Sequence, residues 1–158
     1  MDDEWGWALG AGLEINIPGA PVSIAAQGGY ADGACGYVAQ SPAFLDDALF
    51  NYNTFVASGD GIETTECWQI GLGASIAASS TVSIDIDGAY GDIDHFGALY
   101  DYDYWGMAGA VTWKPVSGLA IAGEIQYSET NADLNSAGLS EISDDDSWQF
   151  TLSFQRDF

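Results

Sequence analysis

Trp148-Gln149-Phe150-Thr151-Leu152-Ser153-Phe154-Gln155-Arg156-Asp157-Phe158 is the stretch on which the reading of this chain turns. Successive side chains of a β-strand point to opposite faces. Trp148, Phe150, Leu152, Phe154 and Phe158 therefore share one face, and Gln149, Thr151, Ser153, Gln155 and Asp157 the other. A strand of a soluble sandwich can alternate in the same way. The alternation acquires weight because it recurs along the whole chain, with wettable residues on one side and lipid-compatible ones on the other, as in the wall of a transmembrane β-barrel.

Working back from the C-terminus, seven segments show this period. Their apolar faces carry Leu119, Ile121, Ile125 and Tyr127; Trp105, Met107, Val111 and Trp113; Val82, Ile84, Ile86 and Tyr90; Trp68, Ile70, Leu72, Ala74 and Ile76; Val22, Ile24, Ala26 and Tyr30; and Trp5, Trp7, Leu9, Ala11, Leu13, Ile15 and Ile17. Tight turns are expected at Pro18 to Pro21, at Ser79-Ser80 and at Lys114 to Gly118, where Pro, Gly and Ser supply the backbone geometry that reversal needs. Long connections are expected at about 31–63, 91–103 and 128–147. Short and long links thus alternate, as they do in a barrel with tight periplasmic turns and long external loops. The predicted fold is all-β: an antiparallel barrel wall of about seven strands in a single domain, residues 1–158.

The aromatic residues test that assignment. The inward-running strands begin with Trp5 and Trp7, Trp68, Trp105 and Trp148, and the outward-running ones end near Tyr30, Tyr90 and Tyr127. All fall at one height, where a ring with one polar edge suits a membrane interface. Trp113 and Phe158 supply a sparser ring at the opposite rim. The two cations, Lys114 and Arg156, map to that same periplasmic end, and the stem of Arg156 can snorkel there.

Composition narrows the function classes. Two basic residues against 24 acids give a net charge of −22, which excludes the clustered cations that nucleic acid binding requires. High acidity alone would suggest disorder, but 47% hydrophobic and 13% aromatic residues oppose it. No apolar run approaches the roughly 20 residues of a membrane helix. Met1-Asp2-Asp3-Glu4 has neither the basic start nor the apolar stretch of a secretory signal. Closed single-chain bacterial barrels have even strand numbers, so seven strands imply either further strand within 31–63 or, the expectation adopted here, a longer chain of which this is the C-terminal part.

At this point the residues resemble a known family. Gly28-Gly29-Tyr30-Ala31-Asp32-Gly33-Ala34-Cys35-Gly36-Tyr37, Trp68-Gln69-Ile70-Gly71-Leu72-Gly73 and the terminal Trp148 to Phe158 are similar to the C-terminal part of alphaproteobacterial general porins of the rhizobial and Brucella type. The resemblance runs over nearly the whole chain; its more specific parts are Tyr30 to Gly33 and the last strand. It implies a sixteen-stranded, trimeric outer-membrane channel for passive diffusion of small hydrophilic solutes and ions. It implies outer-membrane lipid and lipopolysaccharide as surroundings, no enzyme activity and no cofactor. The roughly nine preceding strands of such a barrel, with any constriction loop among them, are not represented in this sequence.

Within that frame the candidate pore-lining groups are Glu14, Asp85, Asp87 and Glu124, carboxylates on polar strand faces that would favour cations in a water-filled lumen. The alternative is that they only solvate the inner wall. Many other polar-face positions are Gly or Ala, which either widens a pore or leaves room for a loop. Cys35 and Cys67 bracket the first long connection; a disulfide is preferred because export compartments oxidise thiols, the alternative being two free thiols. Their spacing, with His95 the one histidine, forms no zinc site. The Asp85 to Gly88 and Asp144 to Asp146 runs lack the EF-hand spacing, so a solvated acidic surface is expected and no metal site. His95 has no nucleophile and base arranged around it for hydrolysis. Two rival readings stand beside the channel: a soluble acidic β-sandwich binding module, with the apolar face packed against a second sheet, and a small structural barrel whose side chains fill the interior.

Overall fold

A computed structural model describes residues 5–38, 55–58, 61–94, 101–133 and 145–157. The strands are β1 (Trp7–Asn16), β2 (Val22–Asp32), β3 (Phe55–Ser58), β4 (Gly61–Thr64), β5 (Glu66–Ala77), β6 (Val82–Asp94), β7 (Asp101–Val116), β8 (Leu119–Asp133) and β9 (Asp145–Arg156). Seven of them form one antiparallel sheet in the order β1-β2-β5-β6-β7-β8-β9, with β1 and β9 at its edges. β3 and β4 pair only with each other. This short hairpin lies inside the connection expected at 31–63 and adds no strand to the wall.

The tight turns form through the chemistry expected of them. Gly19 and Gly118 take positive φ values of 81° and 76°, a region open to glycine at no steric cost. The Ser79 hydroxyl accepts from the backbone N–H groups of Thr81 and Val82 at 3.2 and 3.0 Å, an arrangement that competes with strand continuation and closes the reversal. At the third turn, β7 runs on to Val116, and Pro115 falls within the register irregularity between Trp113 and Val116. A residue without an N–H is tolerated at such a bulge.

At the other end the strands reach further than the apolar alternation indicates. β6 continues to Asp94, β7 starts at Asp101, β8 continues to Asp133 and β9 starts at Asp145. Backbone pairing does not need apolar side chains once both faces meet water, so the ladder persists where the hydrophobic pattern stops. The β6–β7 and β8–β9 connections are correspondingly shorter than the sequence pattern suggests.

Burial on this sheet is inverted relative to a soluble protein. Leu9, Leu72 and Phe150 keep 70%, 67% and 73% of their surface exposed, and Leu13, Ile15, Ile70, Ile86, Met107, Leu152 and Phe154 are likewise open. Soluble monomers rarely expose contiguous apolar patches beyond a few hundred Å², and this face leaves ten large apolar side chains open. A β-sandwich would cover this face with a second sheet. Among the described residues no strand does.

The opposite face carries the buried groups: Ala31, Cys67, Gln69, Ile93, Tyr104, Ser128 and Thr130. Strand β5 shows the contrast residue by residue, with Cys67, Gln69 and Gly71 buried and Ile70 and Leu72 exposed.

Candidate functional site: the two faces of the wall

Cross-strand register defines the aromatic row. Tyr30 stands opposite Trp68, Tyr90 opposite Trp105, and Tyr127 opposite Trp148. The remaining links are diagonal, with ring centroids 5.3 Å apart for Trp7 and Tyr30, 5.4 Å for Trp68 and Tyr90, and 5.2 Å for Trp105 and Tyr127. Tyr127 and Trp148 lie 4.8 Å apart. Tilted contacts at these separations suit the ring quadrupoles, and the result is one ribbon of rings across seven strands.

The ribbon crosses the hydrogen-bonded rows obliquely. The row that starts at Trp7 ends at Asp133, six residues beyond Tyr127 on the same strand. At about 3.3 Å per residue and 4.8 Å per strand, a ribbon lying level in a membrane tilts the strands by about 35–40°, the tilt that barrel closure requires. The tyrosine hydroxyls agree on direction: Tyr30 donates to Glu66 Oε2 at 2.7 Å and Tyr127 to Glu129 Oε2 at 3.2 Å. Both acceptors lie beyond the ribbon, away from the apolar field. Trp5 is exposed just before β1, and Trp113 lies on the same face at the far end of β7. Phe158 lies outside the described residues, as does His95.

Beyond the ribbon the same face becomes acidic. Asp32 pairs with Glu66, Glu66 with Asp94, Asp92 with Asp103, and Glu129 with Asp146. Like charges set directly opposite are destabilising, so this rim is stable only where water and counterions screen it. Asn131 Nδ2 donates to Asp103 Oδ2 at 3.0 Å and relieves one such position.

On the polar face the four candidate carboxylates occupy two adjacent rows. Glu14, Ala25, Gly73, Asp87, Ala108 and Gln126 form one; Asn16, Ser23, Ser75, Asp85, Ala110 and Glu124 form the other. Asp85 and Asp87 on β6 and Glu124 on β8 make a group, with only the small Ala108 and Ala110 between them on β7. Glu14 stands on the other side of Asp87, past Ala25 and Gly73. With strands about 4.8 Å apart, Asp87 and Glu124 are separated by about two strand spacings, near enough for overlapping fields and too far for direct contact. Ser75 Oγ donates to Asp85 Oδ1 at 2.5 Å, and Gln126 Nε2 donates to Glu124 Oε1. Glu14, Gln27, Gln69, Asp87, Tyr104 and Gln126 line a concavity of about 720 Å³.

Two features of this face escape the sequence pattern, the packing of Tyr104 and the inward place of the turn at Cys35. Tyr104, one residue before the expected start of its strand, lays its ring over Gly91, where a Cβ would collide with it, and donates to Gln69 Oε1 at 2.7 Å. Gln69, the buried acceptor of that bond, lies two rows nearer the aromatic ribbon than Asp87. The Cys35–Cys67 disulfide is formed as expected, Cα to Cα 5.8 Å; what the sequence did not show is that it pins a 3-10 turn (Cys35–Tyr37) onto this same face. The signal available in the sequence was the crowd of Gly and Ala at polar-face positions near Cys67. Among the described residues no group of three or more His, Cys, Asp or Glu is arranged to hold a metal ion.

Comparison with known proteins gives a match of residues 1–151 to the family described as Porin subfamily. No curated protein and no solved structure matches the chain.

Proposed function

This chain belongs to the porin family, whose members are outer-membrane β-barrel channels rather than enzymes, and from that premise we propose that it forms part of the wall of a channel for passive diffusion of small hydrophilic solutes and ions, with cations preferred. The observation that carries the reading is the inverted burial: one sheet, its largest hydrophobic side chains open on one side and its polar groups gathered on the other. That arrangement is stable when acyl chains wet the first face and water the second. The aromatic row at Trp5, Trp7, Tyr30, Trp68, Tyr90, Trp105, Tyr127 and Trp148 then serves as the external interface belt, with Trp113 and Phe158 at the periplasmic side. Residues 31–63, 91–103 and 128–147 fall outside the cell, and the acidic rim meets the lipopolysaccharide layer.

We assign the chain further to the alphaproteobacterial general porins on Gly28 to Tyr37 and Trp68 to Gly73, and with them to a sixteen-stranded trimer. Cation preference follows from Glu14, Asp85, Asp87 and Glu124, fixed on rigid strands over small neighbours with no basic side chain beside them in their rows. Fixed negative charge within about a Debye length of a passing ion raises the local cation concentration and lowers that of anions. The test is reversal potential in a planar bilayer under a KCl gradient. Neutralising Asp85, Asp87 and Glu124 together should cut the cation-to-anion permeability ratio severalfold at low salt, with a smaller change at 1 M. Unchanged selectivity in that triple variant would remove the role of these acids.

A further inference from the structure

The polar face is expected to be wet along its length, yet near the external end it carries an apolar cluster. Ala31, Cys35, Cys67, Ile93 and Tyr104 are buried together, with Ala34 and Val38 packed against them. What buries them is the chain itself. After β2 the backbone reverses at Gly33, φ 68°, where Gly33 N–H donates to Thr65 O at 2.9 Å. The 3-10 turn then returns across the inner side of the sheet instead of continuing outward. A Cβ at Gly29 would lie 3.0 Å from Val38 Cγ1, so Val38 sits directly on the wall and any larger residue at Gly29 would press against it. Between this turn and β1 a hollow of about 610 Å³ remains, bordered by Gly10, Gly12, Gln27, Tyr37 and Gln69.

We propose that this disulfide-clamped turn, residues 33–38, is a fixed size-limiting element of the passage, with Cys35–Cys67 and Val38 as the residues that set how large a solute can enter. The inference deepens the channel reading and rests on it. The argument is one of position and fastening. The turn stands on the face that lines the passage and occupies cross-section that bare Gly29 would leave open. Its own internal hydrogen bonds, Tyr37 N–H to Ala34 O at 3.1 Å and Val38 N–H to Cys35 O at 2.9 Å, hold its shape but do not attach it to the sheet. The contacts that tie it to the sheet include the Gly33–Thr65 bond at its base, the packing of Val38 and Cys35 on the wall, and the covalent link to Cys67 near the start of β5, which is paired on both sides. Removing the link takes away the one covalent fastening and leaves the turn to its hydrogen bonds and to the modest apolar area of one small cluster. Because a pore's selectivity for size follows its narrowest lining, a freed turn widens the route.

Liposome swelling with the full, oxidised chain tests this, using neutral sugars from a monosaccharide to a tetrasaccharide. Reduction with tris(2-carboxyethyl)phosphine after reconstitution should raise the rates for the larger sugars severalfold while changing the monosaccharide little. The Cys35→Ser/Cys67→Ser variant should match the reduced parent and ignore the reductant. Identical size limits in oxidised, reduced and variant protein would overturn the proposal. Amide hydrogen exchange separates this from the channel reading, since it needs no conduction. Reduction should speed exchange over residues 33–38 and leave the central amides of β6 to β8 protected; no acceleration would overturn the clamp. A chain that shows the acceleration but passes no solute would overturn the channel reading and the size-limiting role together, with the clamp still standing.

Discussion

On strand β5, Leu72 keeps 67% of its surface open while Gln69, three residues earlier and on the other face, keeps 6%. In a soluble sheet the two would trade places, because burying leucine is favourable and burying an amide is costly unless it is hydrogen-bonded. Here the amide is bonded, to the Tyr104 hydroxyl, and the leucine stays largely open among the described residues. The comparison shows that the rule of apolar inside and polar outside has been replaced by one in which each face matches its own solvent. The interior of this wall is where water or a polar solute goes, and its exterior is where the greasy side chains are at home.

The sharpest way to break that comparison is to put one charge on each face of the same strand. Ile86 lies about midway along β6 on the apolar side, and Ala89 lies on the polar side nearby. Ile86→Arg should cost about 2–4 kcal/mol, the penalty for a cation on the lipid face near the bilayer midplane, whereas a lumen-side substitution carries no such penalty. Urea titration of folding into phosphatidylcholine liposomes, followed by heat-modifiable migration on gels, measures both. Equal losses for Ile86→Arg and Ala89→Arg would mean that the two faces do not see different solvents.

How much of this was legible beforehand follows from the same contrast. The apolar face could be read directly, because lipid demands large hydrophobic groups at every second residue. The seven wall strands, their order, the three turns and the aromatic row all follow from that demand. The acidic stretches Asp92 to Asp94, Asp101 to Asp103 and Glu129 to Asp133 were assigned to connections because the demand ends there, although backbone pairing does not. The polar face was less legible. Water accepts almost any small or polar side chain, so Gly29 and Gly91 carried no sign of whether they open a pore or receive a neighbour. The structure separates them: Gly29 receives Val38, Gly91 receives the Tyr104 ring, while Gly10 and Gly12 border open space. The four carboxylates were identifiable individually, but their grouping as Asp85, Asp87 and Glu124 with Glu14 apart needed the register.

A middle-sized effect should come from the polar face itself. Tyr104→Phe keeps the ring over Gly91 and removes only the hydroxyl that donates to Gln69 Oε1. Leaving a buried amide oxygen without its partner costs about 1–3 kcal/mol. The same liposome titration should therefore show a loss for Tyr104→Phe, smaller than that for Ile86→Arg. If the variant unfolds at the parent's urea concentration, Gln69 is hydrated there, and the buried end of the polar face is wetter than its packing indicates.

The smallest effect, with the opposite sign, belongs to the rim where both faces meet water. Glu129 stands opposite Asp146, and its Oε2 also accepts from the Tyr127 hydroxyl. Glu129→Gln retains an amide oxygen for that hydroxyl and removes one of two facing negative charges. Relief of a directly opposed like-charge pair is worth about 0.2–1 kcal/mol, so the variant should be slightly more stable than the parent. The gain should be visible at about 10 mM salt, where the Debye length is about 30 Å, and should fade towards 1 M, where it is about 3 Å. A gain that did not depend on salt would have to come from packing instead of charge. It would place Glu129 among buried neighbours, on the wrong side of the boundary that the aromatic ribbon draws.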